Sequence, residues 1–266
     1  MASVEHYLFI EWMKWLQKND PSHKFTYDGI IDMDSWSATP TKILLLLKDY
    51  NDTRSANKHH SLNQVDIDDR EAIKTNVPNL RYHLANNIAK KKNWRTWNNA
   101  ARWVYGLLNS SLGDYPPFSK AGAQGNSLNR ELNMRKVAVV DIKKKPGTSS
   151  CTRRALDAYF AKHPEAYTFL ARQISLYGCV NFIICCGDGI FDHCLRIIQD
   201  DKLRQKGYDI KIPAGRTAGR YVITEGDTII INYRHPLLLQ KDVSAESAYY
   251  ELMDIVQNAL KLKLNG

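Results

Sequence analysis

Long apolar runs are missing from this chain: the longest, Ile43–Leu47, has five residues, far short of the roughly 18 that a membrane span needs. No basic stretch followed by an apolar one opens the sequence, so no signal peptide is expected. CxxC pairs are absent as well. The five cysteines stand at 151, 179, 185, 186 and 194, an odd count with one adjacent pair in an apolar setting. That pattern suits reduced, buried thiols in a cytosolic protein and gives little support to zinc or iron–sulfur binding. Internal repeats and long Gly/Ser or Pro-rich linkers are also missing, which argues for one domain over residues 1–266. Residues 1–40 read as a helical N-terminal extension of it. Hydrophobic residues make up 44% and charged residues 24% of the chain, which excludes disordered, collagen-like and coiled-coil classes.

What is present is an uneven charge. The formal net charge is +9, but residues 72–156 carry 16 Lys/Arg against three acids, and the remainder carries 21 basic and 25 acidic residues. A stretch of +13 on a body of −4 points to a polyanionic partner. Within it, Lys90, Lys91, Lys92 and Arg95 alternate with Trp94 and Trp97, the mixture that holds single strands and splayed bases. The tryptophans also follow helical spacing and read mostly as core.

Four short apolar segments read as strands buried on both faces: residues 42–48, 136–142, 180–186 and 228–233. Helical periodicity marks residues 4–18, 80–108 with a break near 92–93, 153–162, 165–176, 190–199 and 244–262. Residues 27–40 read as a turn-rich connector, 113–129 as a loop, and 207–226 as a glycine-rich stretch with a hairpin. Strands alternating with helices predict an α/β fold: a three-layer α/β/α sandwich around a central, mostly parallel four-stranded sheet.

Ligands of such sheets bind at the carboxyl ends of the strands. Here those ends read Lys48-Asp49-Tyr50-Asn51, then Asp141-Ile-Lys-Lys-Lys-Pro-Gly147, Gly187-Asp188-Gly189, and Tyr233-Arg234-His235-Pro236. Asp49 also fits a cap, Asp141 a salt bridge to Lys143 or Arg135, and His235 a surface turn. The His59-His60 pair reads as solvated.

The order of these ends resembles the uracil-DNA glycosylase superfamily, most closely over residues 137–147 and 229–236. The resemblance implies hydrolysis of the N-glycosidic bond of a flipped uracil-like or modified base in DNA, in a repair setting. It implies Asp49, Asp141 and His235 as catalytic residues, and Tyr50, Asn51 and Asp141 as the base pocket. An ionised Asp141 only accepts hydrogen bonds, which would favour a base edge rich in N–H donors over plain uracil. DNA contacts are expected from Lys90, Lys91, Lys92, Arg95, Lys143, Lys144, Lys145 and Arg234, with Leu237 or Leu238 as the wedge. The first loop has neither the family's Gly before the acid nor its Pro after it, and Leu237 stands where the family has Ser. The expected partner is single-stranded or damaged DNA, with no membrane, cofactor or metal, acting as a cytoplasmic monomer. A non-catalytic nucleic-acid-binding protein on the same fold is the alternative.

Overall fold

The computed structural model describes residues 2–49, 61–69, 73, 76–90, 94–147, 151–198, 208–211, 217–224, 227–237 and 243–265. Seven strands form one sheet: β1 (Gly29–Ile30), β2 (Ile43–Leu47), β3 (Ala138–Asp141), β4 (Phe182–Cys186), β5 (Tyr208–Lys211), β6 (Thr217–Ile223) and β7 (Ile229–Tyr233). Their order is β1-β3-β2-β4-β7-β6-β5. The central β3, β2, β4 and β7 are the four expected strands, and neighbours among them are parallel. The expectation of a four-stranded sheet is corrected to a mixed seven-stranded one. β1 adds antiparallel to β3, and the β5–β6 hairpin adds antiparallel to β7. Two residues of β1 carry too little pattern to be read as a strand, and β5–β6 falls in the stretch expected to hold a hairpin.

Alternation within the strands explains the layers. Leu44, Leu46, Ala138, Val140, Ile183, Cys185 and Ile230 face one core, with apolar residues of α1 (Ala2–Asn19), α7 (Arg153–Lys162), α8 (Ala166–Ser175) and α9 (Ile190–Ile197). Ile43, Leu45, Leu47, Val139, Ile184, Cys186 and Ile231 face the other. That second core is covered mainly by α3 (Leu80–Asn87), α4 (Arg95–Leu108) and α10 (Ala245–Asn265). The short helices are α2 (Met33–Ala38), α5 (Phe118–Ala123) and α6 (Ser127–Met134).

The first 40 residues are not an appendage. Phe9, Trp12, Met13 and Leu16 of α1 are fully buried, and β1 hydrogen-bonds into the sheet. Residues 27–40 contain α2, started by the Asp32 side chain accepting from Ser35 N–H at 2.8 Å. Residues 113–129, expected as loop, contain α5 and the start of α6. Pro117 stands at the N-cap of α5, where a missing N–H costs nothing, and Tyr250 accepts from Phe118 N–H at 3.1 Å. Packing from α10, invisible to local periodicity, supplies what six residues lack.

Candidate active site at the strand ends

Chain connections leave β2 toward β3 on one side, and leave β4 toward β7 on the other. The switch point therefore lies at the carboxyl ends of β2 and β4, where crevices of open α/β sheets take ligands. Pairing runs past the strands: Ile142 N–H donates to Leu47 O and Lys143 N–H to Lys48 O, each at 2.9 Å, and Gly187 N–H donates to Tyr233 O at 2.8 Å. These bonds fix Lys48, Lys143 and Gly187 along one edge. Gly187 has φ 125°, which only glycine adopts without strain. A Cβ there would lie 3.7 Å from Lys48 Cε and 3.8 Å from His235 Cβ, so Lys48 and His235 flank it.

Asp49 is 8% exposed and forms an ion pair with Lys143 at 2.9 Å. Gly147 lies so close over it that a Cβ would collide with the carboxylate. Lys48 Nζ donates to Cys151 O at 3.2 Å, which ties the far end of this loop to β2. Burial, and then the charge of Asp49, pushes the Cys151 thiol up, so it stays protonated.

His235 is exposed. Its Nδ1 accepts from Leu237 N–H at 3.1 Å, so in the neutral ring the proton sits on Nε2. Protein packed around the ring lowers its pKa, Lys48 lowers it further, and Asp49 pulls the other way. Asp49 thus acts electrostatically on His235, and also on Asp141.

Asp141 departs from its expected place in a base pocket. It is completely buried, and neither carboxylate oxygen has a hydrogen-bond partner. Burial first, then the charges of Asp28 and Asp49, push its carboxyl well above the usual carboxylate range. Its backbone N–H donates to Asp28 Oδ2 at 2.8 Å. The salt-bridge alternatives fail too: Lys143 pairs with Asp49, and Arg135 with Glu131 and Asp32. Strand alternation explains the burial, because Asp141 is still within β3 and pairs in register with Leu47.

Lys144 likewise does not reach outward. It is buried against Asp28 in an ion pair, with its ammonium 5.6 Å from the Phe9 ring and 5.7 Å from that of Trp12. Arg234 turns back to Glu251 on α10 and lies over the Tyr233 ring. Of the 16 basic residues in the +13 stretch, at least seven of the described ones are engaged within the protein, among them Arg81, Arg102, Arg130, Arg135, Lys143, Lys144 and Arg153. Lys90 and Arg95 are exposed, and Lys145 is half-buried. Asn99, one turn beyond Arg95 on α4, donates to Pro236 O at 2.8 Å, which brings the start of α4 to the His235 loop. Trp97 and Trp103 are core residues and Trp94 is half-buried beside them. Leu237 is half-buried behind His235. Tyr50, Asn51, Lys91, Lys92, Leu238 and the His59-His60 pair lie outside the described residues.

Lys48, Gly147 and Cys151 lie at the candidate site; the sequence assigns Lys48 and Gly147 no role and gives a catalytic thiol at Cys151 little support. Lys48 immediately precedes Asp49, which was a signal for it; the other two are placed by tertiary folding of the loop after β3. Comparison with family models, curated proteins and solved structures finds no match to this chain, and the strand-end site is the basis for assigning it a role.

Proposed function

We propose that the chain hydrolyses the N-glycosidic bond of a base flipped out of DNA, using Asp49 and His235. The observation that carries this reading is the tautomer of His235. Leu237 N–H occupies Nδ1, so a neutral ring carries its proton on Nε2, and Asp49 lies close enough to act on the ring electrostatically. Breaking the bond from C1′ to the base nitrogen leaves the electron pair on the base and positive charge on the sugar. Nε2–H donates to a base oxygen and stabilises the departing anion. The Asp49 carboxylate stabilises the sugar cation and accepts a proton from the water that adds to C1′. A DNA phosphate taking Lys143 releases Asp49 for that role. Asp141 touches neither base nor sugar in this scheme, so the base preference argued from its acceptor oxygens is dropped.

One observation favours the alternative, a non-catalytic nucleic-acid-binding protein: Asp49 is paired and covered. The two separate on oligonucleotides carrying uracil, hypoxanthine, xanthine or other modified bases, followed by alkaline cleavage. Abasic sites on one substrate, falling at least ~100-fold in Asp49→Asn and His235→Asn, support the glycosylase. No abasic sites, with salt-sensitive binding retained, would establish the binder. Absence of both activities would refute both.

A further inference from the structure

We propose that Asp20, His23 and His163 form a binding site for a divalent first-row metal ion, zinc foremost, with one remaining position open to water. The site lies on the α1 side of the sheet. α1 ends at Asn19, and a tight turn follows in which Asp20 N–H donates to Leu16 O at 2.6 Å and His23 N–H to Asp20 O at 2.8 Å. His163 caps the C-terminus of α7, its N–H donating to Tyr159 O at 2.9 Å. Two helix C-termini, the ends that favour positive charge, therefore meet at these three side chains.

The spacing suits a metal better than a hydrogen-bonded cluster. Asp20 Oδ2 lies 3.4 Å from His23 Nδ1 and 3.3 Å from His163 Nε2. An N–H···O bond prefers about 2.9–3.0 Å. Zinc bonds of about 2.0–2.1 Å place tetrahedral donor atoms about 3.3–3.4 Å apart. All three donor atoms lie within 4.8 Å of one another, and all three residues are buried. Ser22 Oγ donates to the other oxygen, Asp20 Oδ1, at 3.0 Å, which orients Oδ2 toward the rings.

Protonation favours binding as well. Burial, together with the charges of Lys145 and His163, holds His23 down to about 3. Burial also lowers His163. Burial alone would raise Asp20, but the hydrogen bonds from Lys162 and Ser22 and the charge of Lys162 help to hold the carboxyl below its usual range. Neutral imidazoles and a carboxylate are the ligand forms a metal needs. Two lysines oppose it. Lys145 acts on both rings, and Lys162 Nζ sits 2.8 Å from Asp20 Oδ2. Lys162 is 60% exposed, so its ammonium can leave for solvent when a metal takes that oxygen. Bound there, the ion would tie the end of α1 to the end of α7. It would also brace the loop after β3, which Thr26 N–H holds through Lys144 O at 2.9 Å.

The test is titration of the metal-free full chain with zinc chloride by calorimetry, repeated with cobalt(II) to read the visible bands of tetrahedral coordination. One zinc per chain is expected, with the thermal midpoint raised by about 5–10 °C at a hundredfold excess over Kd. His163→Gln should weaken binding at least tenfold. Cys179→Ser, at an exposed thiol, and His235→Asn should leave it unchanged. Lys162→Met alters only an exposed competitor and should tighten binding severalfold, a readout that survives if His163→Gln does not fold. Absence of binding, loss in Cys179→Ser, or no tightening in Lys162→Met would overturn the proposal. None of these readings depends on glycosylase activity.

Discussion

Lys144→Met separates the two possible jobs of the Lys143–Lys145 run. The lysine ammonium pairs with Asp28, both side chains have no exposed surface, and the ammonium also lies over the rings of Phe9 and Trp12. Asp28 also accepts from Gln173 Nε2 at 2.9 Å and from Asp141 N–H at 2.8 Å. Methionine keeps the length and apolar character of the stem and deletes only the charge. Asp28 is then left with two neutral donors and no counter-charge in the core. Removing one partner of a buried pair costs about 3–5 kcal/mol, of which lost contact with the two rings is a part. For a chain of this size that corresponds to a fall of about 6–20 °C in Tm. Urea unfolding at pH 7, followed by tryptophan fluorescence and circular dichroism, reads the change. Asp28→Asn added to Lys144→Met should recover most of the loss, because no charge then remains buried. DNA affinity of the folded Lys144→Met protein should keep its salt dependence. A variant within about 1 kcal/mol of the parent, with a salt slope reduced by about one, would refute the reasoning and return Lys144 to the phosphate backbone.

Asp141→Asn should stabilise the protein increasingly as pH rises. An acid with a raised folded pKa contributes stability below its ordinary value of 3.8 and loses it as pH climbs toward the folded value. The Tm difference between variant and parent should therefore be larger at pH 8 than at pH 4, and a constant difference would contradict the burial. Gly147→Ala forces a methyl into the space of the Asp49 carboxylate, and a loss of about 1–3 kcal/mol by urea unfolding is expected. An unchanged midpoint would mean that the loop after β3 yields freely. Apart from Lys143, which the proposed mechanism hands to a phosphate, at least six of the 16 basic residues are engaged internally, so at most ten remain for phosphates and the slope of log K against log salt should not be steeper than about −9. A steeper slope in a filter-binding series would show that internal pairs open on DNA. Excision should stay flat as pH falls from 8 to 6.5, because His235 is held neutral below its ordinary value, and a rate already dropping above pH 7 would contradict that.

The parts of this fold that could be read from the sequence are those in which one strand carries its own signal. Runs such as Ile43–Leu47 and Phe182–Cys186 are apolar at every position because both faces are covered, and they could be located to within a residue or two. The shortest elements carried no such signal. β1 has two residues, and α2 and α5 have six each, so their stability comes from partners far along the chain. The same division runs through the site. Asp49 and His235 stand just beyond strand ends, where alternation no longer dictates which way a side chain points, and their position at the edge followed from sequence order alone. Asp141 and Lys144 look equally polar in the sequence, but Asp141 is buried by its place inside β3, and Lys144 is buried against Asp28, more than a hundred residues away. A charge count cannot tell a lysine that meets solvent from one that neutralises a carboxylate inside the core. Spacing within Asp20-Pro-Ser-His23 would not reveal the proposed metal site either, because only the Asp20–His23 step is local and His163 arrives from the end of α7. The chemistry proposed for the strand ends therefore rests on which charges remain unneutralised once the core has taken its share. By that measure His235, exposed and with its proton on Nε2 in the neutral ring, is better placed to meet a ligand than Lys144 of the lysine run.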